Sequence, residues 1–263
     1  MQPVSDAMRA TIENRLAQIE TEEGAQIILA VESGSRAWGF HSPDSDYDVR
    51  FIYKRPIEWH YRLGTKRDVI ERPIDNELDL SGWELSKALT LTLGSNAVVA
   101  EWLQSPIVYR KDARSVDALQ QFARAALERK SVTWHYVNLA QRQIDRLLDD
   151  QGHVRIKRYF YVLRPILALR WMRLADAPMP PMHMRALRDG AELDAVTSDA
   201  LDMLTEQKMA AKEKGTVEAA PHSLQALVTS EMAQARQWLA TAPKADASRL
   251  WETASRLHYD LSK

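Results

Sequence analysis

Apolar residues recur along the chain with two different spacings, and the change between them divides the chain into two parts. Near the start, the helical spacing of Met8, Ile12, Leu16 and Ile19 predicts a helix over residues 5–22. Short apolar runs bounded by turn residues then predict strands over residues 25–31, 47–53, 66–71 and 77–80.

After a Ser-Gly pair at residues 81–82, the spacing becomes helical. Helices are predicted over 83–93, 97–103, 112–129, 131–150, 155–175, 196–213, 223–241 and 246–261, with a short strand at 107–109. Polar stretches with proline or glycine, at 176–181 and 212–221, are predicted linkers. The pattern predicts an α+β fold: a mixed sheet with flanking helices over residues 1–110, then an all-α domain over residues 111–263.

The composition is that of an ordinary globular protein, and it limits which binding modes and which chemistry are possible. Of 263 residues, 45% are hydrophobic and 27% are charged. The formal net charge of −1 means that a nucleic acid would have to be bound by a local basic patch. The absence of cysteine excludes disulfide and thiolate chemistry. The chain shows neither a signal-peptide core nor an apolar run of the roughly 18–20 residues that span a membrane, so we expect a cytoplasmic protein.

Two aspartates at the start of the second predicted strand, one directly before it and one inside it, are the strongest candidates for chemistry. Asp46 and Asp48 stand at i and i+2, so their side chains point to the same side of a strand. Asp48 lies between Tyr47 and Val49 in a run of high β-propensity, where a carboxylate is disfavoured and needs a partner such as a metal ion. Asp44, in the preceding Ser-Pro-Asp stretch, is interpreted as a turn residue.

A Gly-Ser pair ends the first predicted strand and suits phosphate binding. Backbone N–H groups at Gly34 and Ser35 can approach phosphates at the start of a helix, although such a pair alone is more typical of a plain turn or a helix N-cap. Arg36 follows in the first turn, where a cation is unfavourable unless an anion binds there. Arg50 shares the face of Asp48 and is either an ion-pair partner of Asp48 or Asp46, or a ligand contact.

These motifs resemble the DNA polymerase β-type nucleotidyltransferase superfamily. Gly-Ser-Arg-Ala-Trp-Gly-Phe at residues 34–40 and Ser-Asp-Tyr-Asp-Val-Arg-Phe-Ile-Tyr at residues 45–53 are similar to one branch, the predicted nucleotidyltransferases associated with phage RNA ligases. The resemblance is close over residues 27–53 and extends loosely to about residue 165. It implies a nucleotidyltransferase fold in which Asp46 and Asp48 bind two Mg²⁺ ions and residues 34–36 contact the triphosphate.

The superfamily also uses a third carboxylate on a neighbouring strand. Glu77, Asp79 and Glu84 are the alternatives. Asp79 is preferred because Leu78 and Leu80 face the other way, but Glu77 shares its face, so the choice between them stays open. Glu84 falls in the following predicted helix, where it is expected to be a solvated or capping residue.

In related enzymes, a lysine of the helical domain reaches the triphosphate and an aromatic residue stacks on the base. Lys157 and Tyr161 stand at i and i+4 of the helix predicted over 155–175, and Arg164 continues the same face. The alternative is that Lys157 is a solvated charge and that Tyr161 belongs to the core.

The resemblance implies transfer of a nucleoside monophosphate from an NTP, with ATP favoured, to an acceptor hydroxyl, with release of pyrophosphate. RNA is the expected acceptor. The alternatives are a non-catalytic nucleotide or RNA sensor on the same fold, and a nucleotidyltransferase that acts on a small molecule or a protein.

Overall fold

The computed structural model describes residues 4–42, 45–75, 77–210, 216–217, 219–243 and 250–263. The strands are β1 (Gln26–Glu32), β2 (Tyr47–Lys54), β3 (Val69–Glu71), β4 (Leu78–Glu84), β5 (Val108–Lys111), β6 (Val154–Arg155) and β7 (Thr216–Val217). The helices are α1 (Asp6–Glu23), α2 (Gly34–Trp38), α3 (Leu85–Leu93), α4 (Ala97–Trp102), α5 (Ala113–Ala126), α6 (Arg129–Ile144), α7 (Ile156–Ala175), α8 (Met184–Asp189), α9 (Ala195–Ala210), α10 (His222–Thr241) and α11 (Leu250–Ser262). A 3₁₀ turn spans Ile57–Tyr61. The predicted α+β class is confirmed.

The described residues divide into two compact units. The first unit is drawn from Met1–Ala37, Asp46–Leu127 and Asp246–Lys263, and the second from Trp38–Ser45 and Glu128–Ala245. This division differs from the predicted boundary after residue 110, because α5 packs on β1 and α3, and α11 packs on α3 and α5. Both helices therefore belong to the unit that contains the sheet.

The first unit is built on a five-stranded mixed sheet in the order β3-β4-β2-β1-β5. The β2–β4 pair is parallel and the other neighbours are antiparallel. Helix α1 begins at the N-cap Ser5 and buries Ile12, Leu16 and Ile19 in the core formed with the sheet residues. The predicted amphipathic helix is therefore present, and its apolar stripe packs as its spacing indicates.

Strand β4 continues four residues beyond its predicted end. The Ser-Gly pair at 81–82, interpreted as a break, lies inside the strand and pairs with Arg50 and Phe51 of β2. Gly82 is required there by packing, because a Cβ at this position would stand 2.1 Å from Cε2 of the Phe51 ring. The strand ends at Glu84, and α3 begins at Leu85 instead of at residue 83.

The second unit is largely helical, with α6 and α10 packed on α7 and α9 packed on α10. The prediction of an all-α part is wrong in one detail: β6 and β7 form a two-residue antiparallel ribbon. Strands this short carry no readable periodicity, and β7 lies in the predicted 212–221 linker. Residues 211–215 and Asp44 lie outside the described residues. Among the helices that the structure describes, none has the length and hydropathy needed to cross a lipid bilayer.

Candidate active site

The parallel pairing of β2 with β4 places two aspartates side by side. Asp48 is the register partner of Asp79. The side chains of Asp48 and Asp79 are 32% and 30% exposed, so solvent reaches both carboxylates. Glu77 precedes β4 and is exposed, and its carbonyl oxygen accepts a hydrogen bond from the Tyr47 amide at 2.7 Å. Of the two alternatives on this face, Asp79 is therefore the one that lies next to Asp48 within the sheet.

Arg50 joins these two carboxylates. Its Nη2 donates to Oδ2 of Asp79 at 2.7 Å and to Oδ1 of Asp48 at 3.3 Å. Its Nη1 donates to the carbonyl oxygens of Asp79 at 3.2 Å and Val49 at 3.1 Å. The predicted ion pair with Asp48 is present, and the second partner on β4 was not anticipated.

Gly34 lies against the Asp48 carboxylate. Its φ is +60°, and a Cβ at this position would stand 2.0 Å from Oδ2 of Asp48. The carbonyl of Asp48 accepts from the amide of Ser33 at 2.8 Å, which ties the end of β1 to β2. Glycine is therefore needed for both its backbone conformation and its lack of a side chain. Ser35 follows in the first turn of the five-residue α2 and is buried.

A buried glutamate supports Asp48 from behind the site. Glu32, the last residue of β1, is fully buried and its Oε1 accepts from the Asp48 amide at 2.8 Å. The Tyr109 hydroxyl donates to its Oε2. Burial, opposed by these two hydrogen bonds and reinforced by the charge of Asp48, raises the pKa of Glu32 to about 7. Burial also raises the pKa of Tyr109, and the Glu32 carboxylate raises it further.

Sequence reasoning did not single out Glu32. The available signal was an acidic residue at the end of a buried apolar run, where a carboxylate needs a partner. The partner, Tyr109, is 77 positions away and could not be identified from the sequence pattern.

Arg36 and Asp46 shape the entry into β2. Nε of Arg36 donates to the carbonyl oxygen of Asp46 at 3.2 Å, and the guanidinium lies 3.7 Å from the centre of the Tyr47 ring. Arg36 is buried, and its guanidinium stabilises the local structure through these two contacts. Asp46 lies directly before β2 with its side chain exposed.

The aspartates suit a divalent cation. Asp48 and Asp79 lie side by side and share Arg50, and Asp46 adds an exposed residue two positions before Asp48. Carboxylate oxygens are the ligands that Mg²⁺ prefers. The residues present therefore fit Mg²⁺.

Comparison with known proteins identifies the family. The model of the RNA repair pathway DNA polymerase beta family (RlaP) matches residues 8–260. The chain belongs to this family. The RlaP assignment confirms the resemblance and, at the level of class, makes the chain a polymerase β-like nucleotidyltransferase family member.

Two individual proteins are similar to this RlaP chain. The uncharacterized protein YcgL of Bacillus subtilis (strain 168) is 43% identical over 206 residues, 78% of this chain and 78% of that protein. A crystal structure of a nucleotidyltransferase-like protein from Exiguobacterium sibiricum 255-15 is 16% identical, covers 95% of this chain and 88% of that one, and has a TM-score of 0.28. Likeness at that level carries no further argument.

The predicted nucleotide-binding residues of the RlaP helical part lie on α7. Lys157 and Tyr161 are half-buried in its first two turns. The Tyr161 ring packs edge-on against Trp38, 5.3 Å between centroids, and its predicted contact with the base stays a prediction. Arg164 is buried, lies 4.5 Å from the Trp38 ring centre and donates through Nε to the Met182 carbonyl at 3.3 Å.

Other basic residues of α7 also have structural partners. Arg170 Nη1 and Arg173 Nη2 both donate to Oε1 of Glu231, at 2.9 Å and 2.7 Å. Glu231 is 1% exposed, so these cations compensate a buried carboxylate. The basic run on α7 is therefore less available to a ligand than its sequence indicates.

Proposed function

We propose that this chain is a Mg²⁺-dependent nucleotidyltransferase that transfers a nucleoside monophosphate from an NTP to a hydroxyl group of RNA. The observation that carries the proposal is the register of β2 and β4, which sets Asp48 beside Asp79 with Gly34 against the Asp48 carboxylate. Family membership supports the same class of chemistry.

Each residue of this group has a separate role. Asp46 and Asp48 hold Mg²⁺, which when bound neutralises charge on the phosphates. Asp79 accepts the proton of the acceptor hydroxyl, whose oxygen forms a bond to the α-phosphorus while the bond to the β-phosphate oxygen breaks. Arg50 holds Asp79 in position through its hydrogen bonds to the carboxylate and the carbonyl oxygen. Gly34 and Ser35 contact the triphosphate through their backbone, and pyrophosphate leaves.

RNA is the proposed acceptor and ATP the favoured donor. The description of the family, which places it in RNA repair, supports an RNA acceptor. With a formal net charge of −1, the chain has to bind RNA through a local basic patch, so binding should weaken as the salt concentration rises.

Labelling with radioactive NTPs tests the proposal. Purified protein, Mg²⁺ and each labelled NTP are incubated with total RNA, with protein extract and with small-molecule acceptors. Asp48→Asn should lower transfer roughly 10²–10³-fold, the range for removing one group that stabilises transition-state charge. Asp117→Asn, on an exposed aspartate that pairs with Lys111, is the control and should keep the wild-type rate.

The outcomes separate the parts of the proposal. Labelling of a protein or a small molecule, but not of RNA, would contradict the RNA acceptor and leave the proposed nucleotidyl transfer intact. RNA binding without labelling by any NTP would favour the sensor, and a wild-type rate for Asp48→Asn would contradict the assigned site.

A further inference from the structure

Three potential metal ligands meet in the first unit, away from the aspartates. His60 lies in the 3₁₀ turn, Glu84 ends β4 and His258 lies on α11. Each offers one ligand atom, and the three atoms lie within 4.8 Å of one another. Nε2 of His60 is 3.9 Å from Oε1 of Glu84, and the centroids of the two imidazole rings are 4.7 Å apart.

Each of the three side chains has a buried polar atom that lacks a hydrogen-bond partner among the described residues. Within the described residues, Nε2 of His60, Oε1 of Glu84 and Nε2 of His258 are inaccessible and make no hydrogen bond. Glu84 is fully buried. An unsatisfied buried polar group costs about 1–3 kcal/mol, and more for a charged one, so three that converge on one point call for a shared partner.

Glu84 uses only one of its two carboxylate oxygens to cap α3. Glu84 is the N-cap of α3: its Oε2 accepts from the Ser86 amide at 2.6 Å and from the Ser86 hydroxyl. Of the two alternatives, solvated or capping, Glu84 has the capping role and is not solvated, because it is fully buried, and it ends β4 instead of lying in a helix. The partial positive charge at the N-terminus of α3 lies next to this carboxylate.

The histidines provide the complementary donors. The rings of His60 and His258 meet edge to face, with an interplanar angle of 89°. A neutral imidazole is the form that binds a metal. The sequence provides the ring nitrogens and the carboxylate from positions nearly 200 residues apart.

We propose that His60, Glu84 and His258 form a Zn²⁺ site that fastens α11 to the end of β4. Two imidazole nitrogens and one carboxylate oxygen match the ligands of Zn²⁺, whereas Mg²⁺ and Ca²⁺ prefer oxygen alone. Zn–ligand bonds of about 2.0–2.1 Å place tetrahedral ligand atoms roughly 3.4 Å apart, so the 3.9 Å separation of His60 and Glu84 has to close by about 0.5 Å. The other separations, which reach 4.8 Å at most, have to close by no more than about 1.4 Å. The fourth position would be filled by water.

This site is separate from the candidate active site. Glu84 lies five positions after Asp79 on β4, which at about 3.3 Å per residue is roughly 16 Å along the strand. Its ligands come from a turn, a strand end and a helix, so the metal would stabilise the tertiary arrangement of the first unit.

Metal analysis of the full-length protein tests the proposal. Protein purified without chelators and given Zn²⁺ should retain about one equivalent per chain. Glu84→Gln and His258→Ala should weaken Zn²⁺ binding by more than the roughly 10–100-fold that loss of an outer-shell partner costs. His153→Ala, outside the cluster and 40% exposed in its side chain, is the matched control and should keep the zinc. Asp48→Asn should also keep it, which separates this site from the proposed active site.

Measurements on the wild-type protein test the proposal without requiring that any variant folds. Chelator-treated protein should melt at a lower temperature, Zn²⁺ should restore the melting temperature while Mg²⁺ does not, and Co²⁺ should produce the visible absorption of a tetrahedral site. Failure of wild-type protein to bind Zn²⁺ or Co²⁺ would overturn the proposal and would leave a metal-free histidine–carboxylate cluster. Equal zinc content in Glu84→Gln, His258→Ala and wild type would also overturn it.

Discussion

In the wild type, we expect the stability of the first unit to fall as the pH rises, because Glu32 then loses its proton. Replacing Glu32 with glutamine should remove this dependence. The Glu32 carboxyl is fully buried, and its pKa is raised from 4.5 to about 7 in the folded protein. The folded state therefore binds a proton more tightly than the unfolded state. The stabilisation is complete below the unfolded pKa and is lost as the pH rises through the folded pKa.

The size of the effect follows from the shift. A change of about 2.5 pKa units corresponds to about 3 kcal/mol, of which about 2.5 kcal/mol is lost between pH 5 and pH 8. Glutamine does not titrate. Its carbonyl oxygen can accept from the Asp48 amide, and its NH₂ group can donate to the Tyr109 hydroxyl. The free-energy difference between Glu32→Gln and wild type should therefore shift by this amount in favour of the variant as the pH rises.

Native-state hydrogen exchange of the β1 and β2 amides at several pH values measures this difference within the first unit. Glu58→Gln, at an exposed position of the same unit, is the control and should follow the wild-type curve. Tyr109→Phe should steepen the wild-type pH dependence, because the Tyr109 hydroxyl lowers the pKa of Glu32. A pH-independent difference between Glu32→Gln and wild type would refute the reasoning.

The remaining predictions concern nucleotide transfer and binding. Gly34→Ala should destabilise the protein and reduce transfer more than Gly24→Ala, because both glycines have φ near +60° but only Gly34 abuts the Asp48 carboxylate. The backbone strain common to both is about 1–2 kcal/mol, and melting temperatures with transfer rates measure the difference. Lys157→Ala should reduce the rise in melting temperature caused by MgATP, while Arg142→Ala, at an exposed position on α6, should not. Equal shifts in these two variants would mark Lys157 as a surface charge.

Local sequence patterns were sufficient for several elements. The spacing of Ile12, Leu16 and Ile19 predicted α1 and its buried stripe, because side-chain direction repeats with the geometry of the helix itself. The run from Tyr47 predicted β2, and an aspartate inside it marked the candidate site before any tertiary contact was known. The Gly-Ser and Asp-x-Asp motifs also identified the superfamily.

Other features depended on which strands pair. Alternation along β4 placed Glu77 and Asp79 on one face, but only the register with β2 set Asp79 beside Asp48. The Ser-Gly pair at 81–82 resembles a break, yet the Phe51 ring requires glycine inside the strand. Register is a long-range property that a local pattern leaves undetermined.

The buried acidic groups show the same division. The sequence alone showed that Glu32 follows an apolar run and that Glu84 lies near the start of a predicted helix. Only the tertiary structure decided that Tyr109 reaches Glu32 and that His60 and His258 converge on Glu84. Periodicity follows from bonds between neighbouring residues, whereas the charge state and partners of a buried group depend on residues brought together by folding.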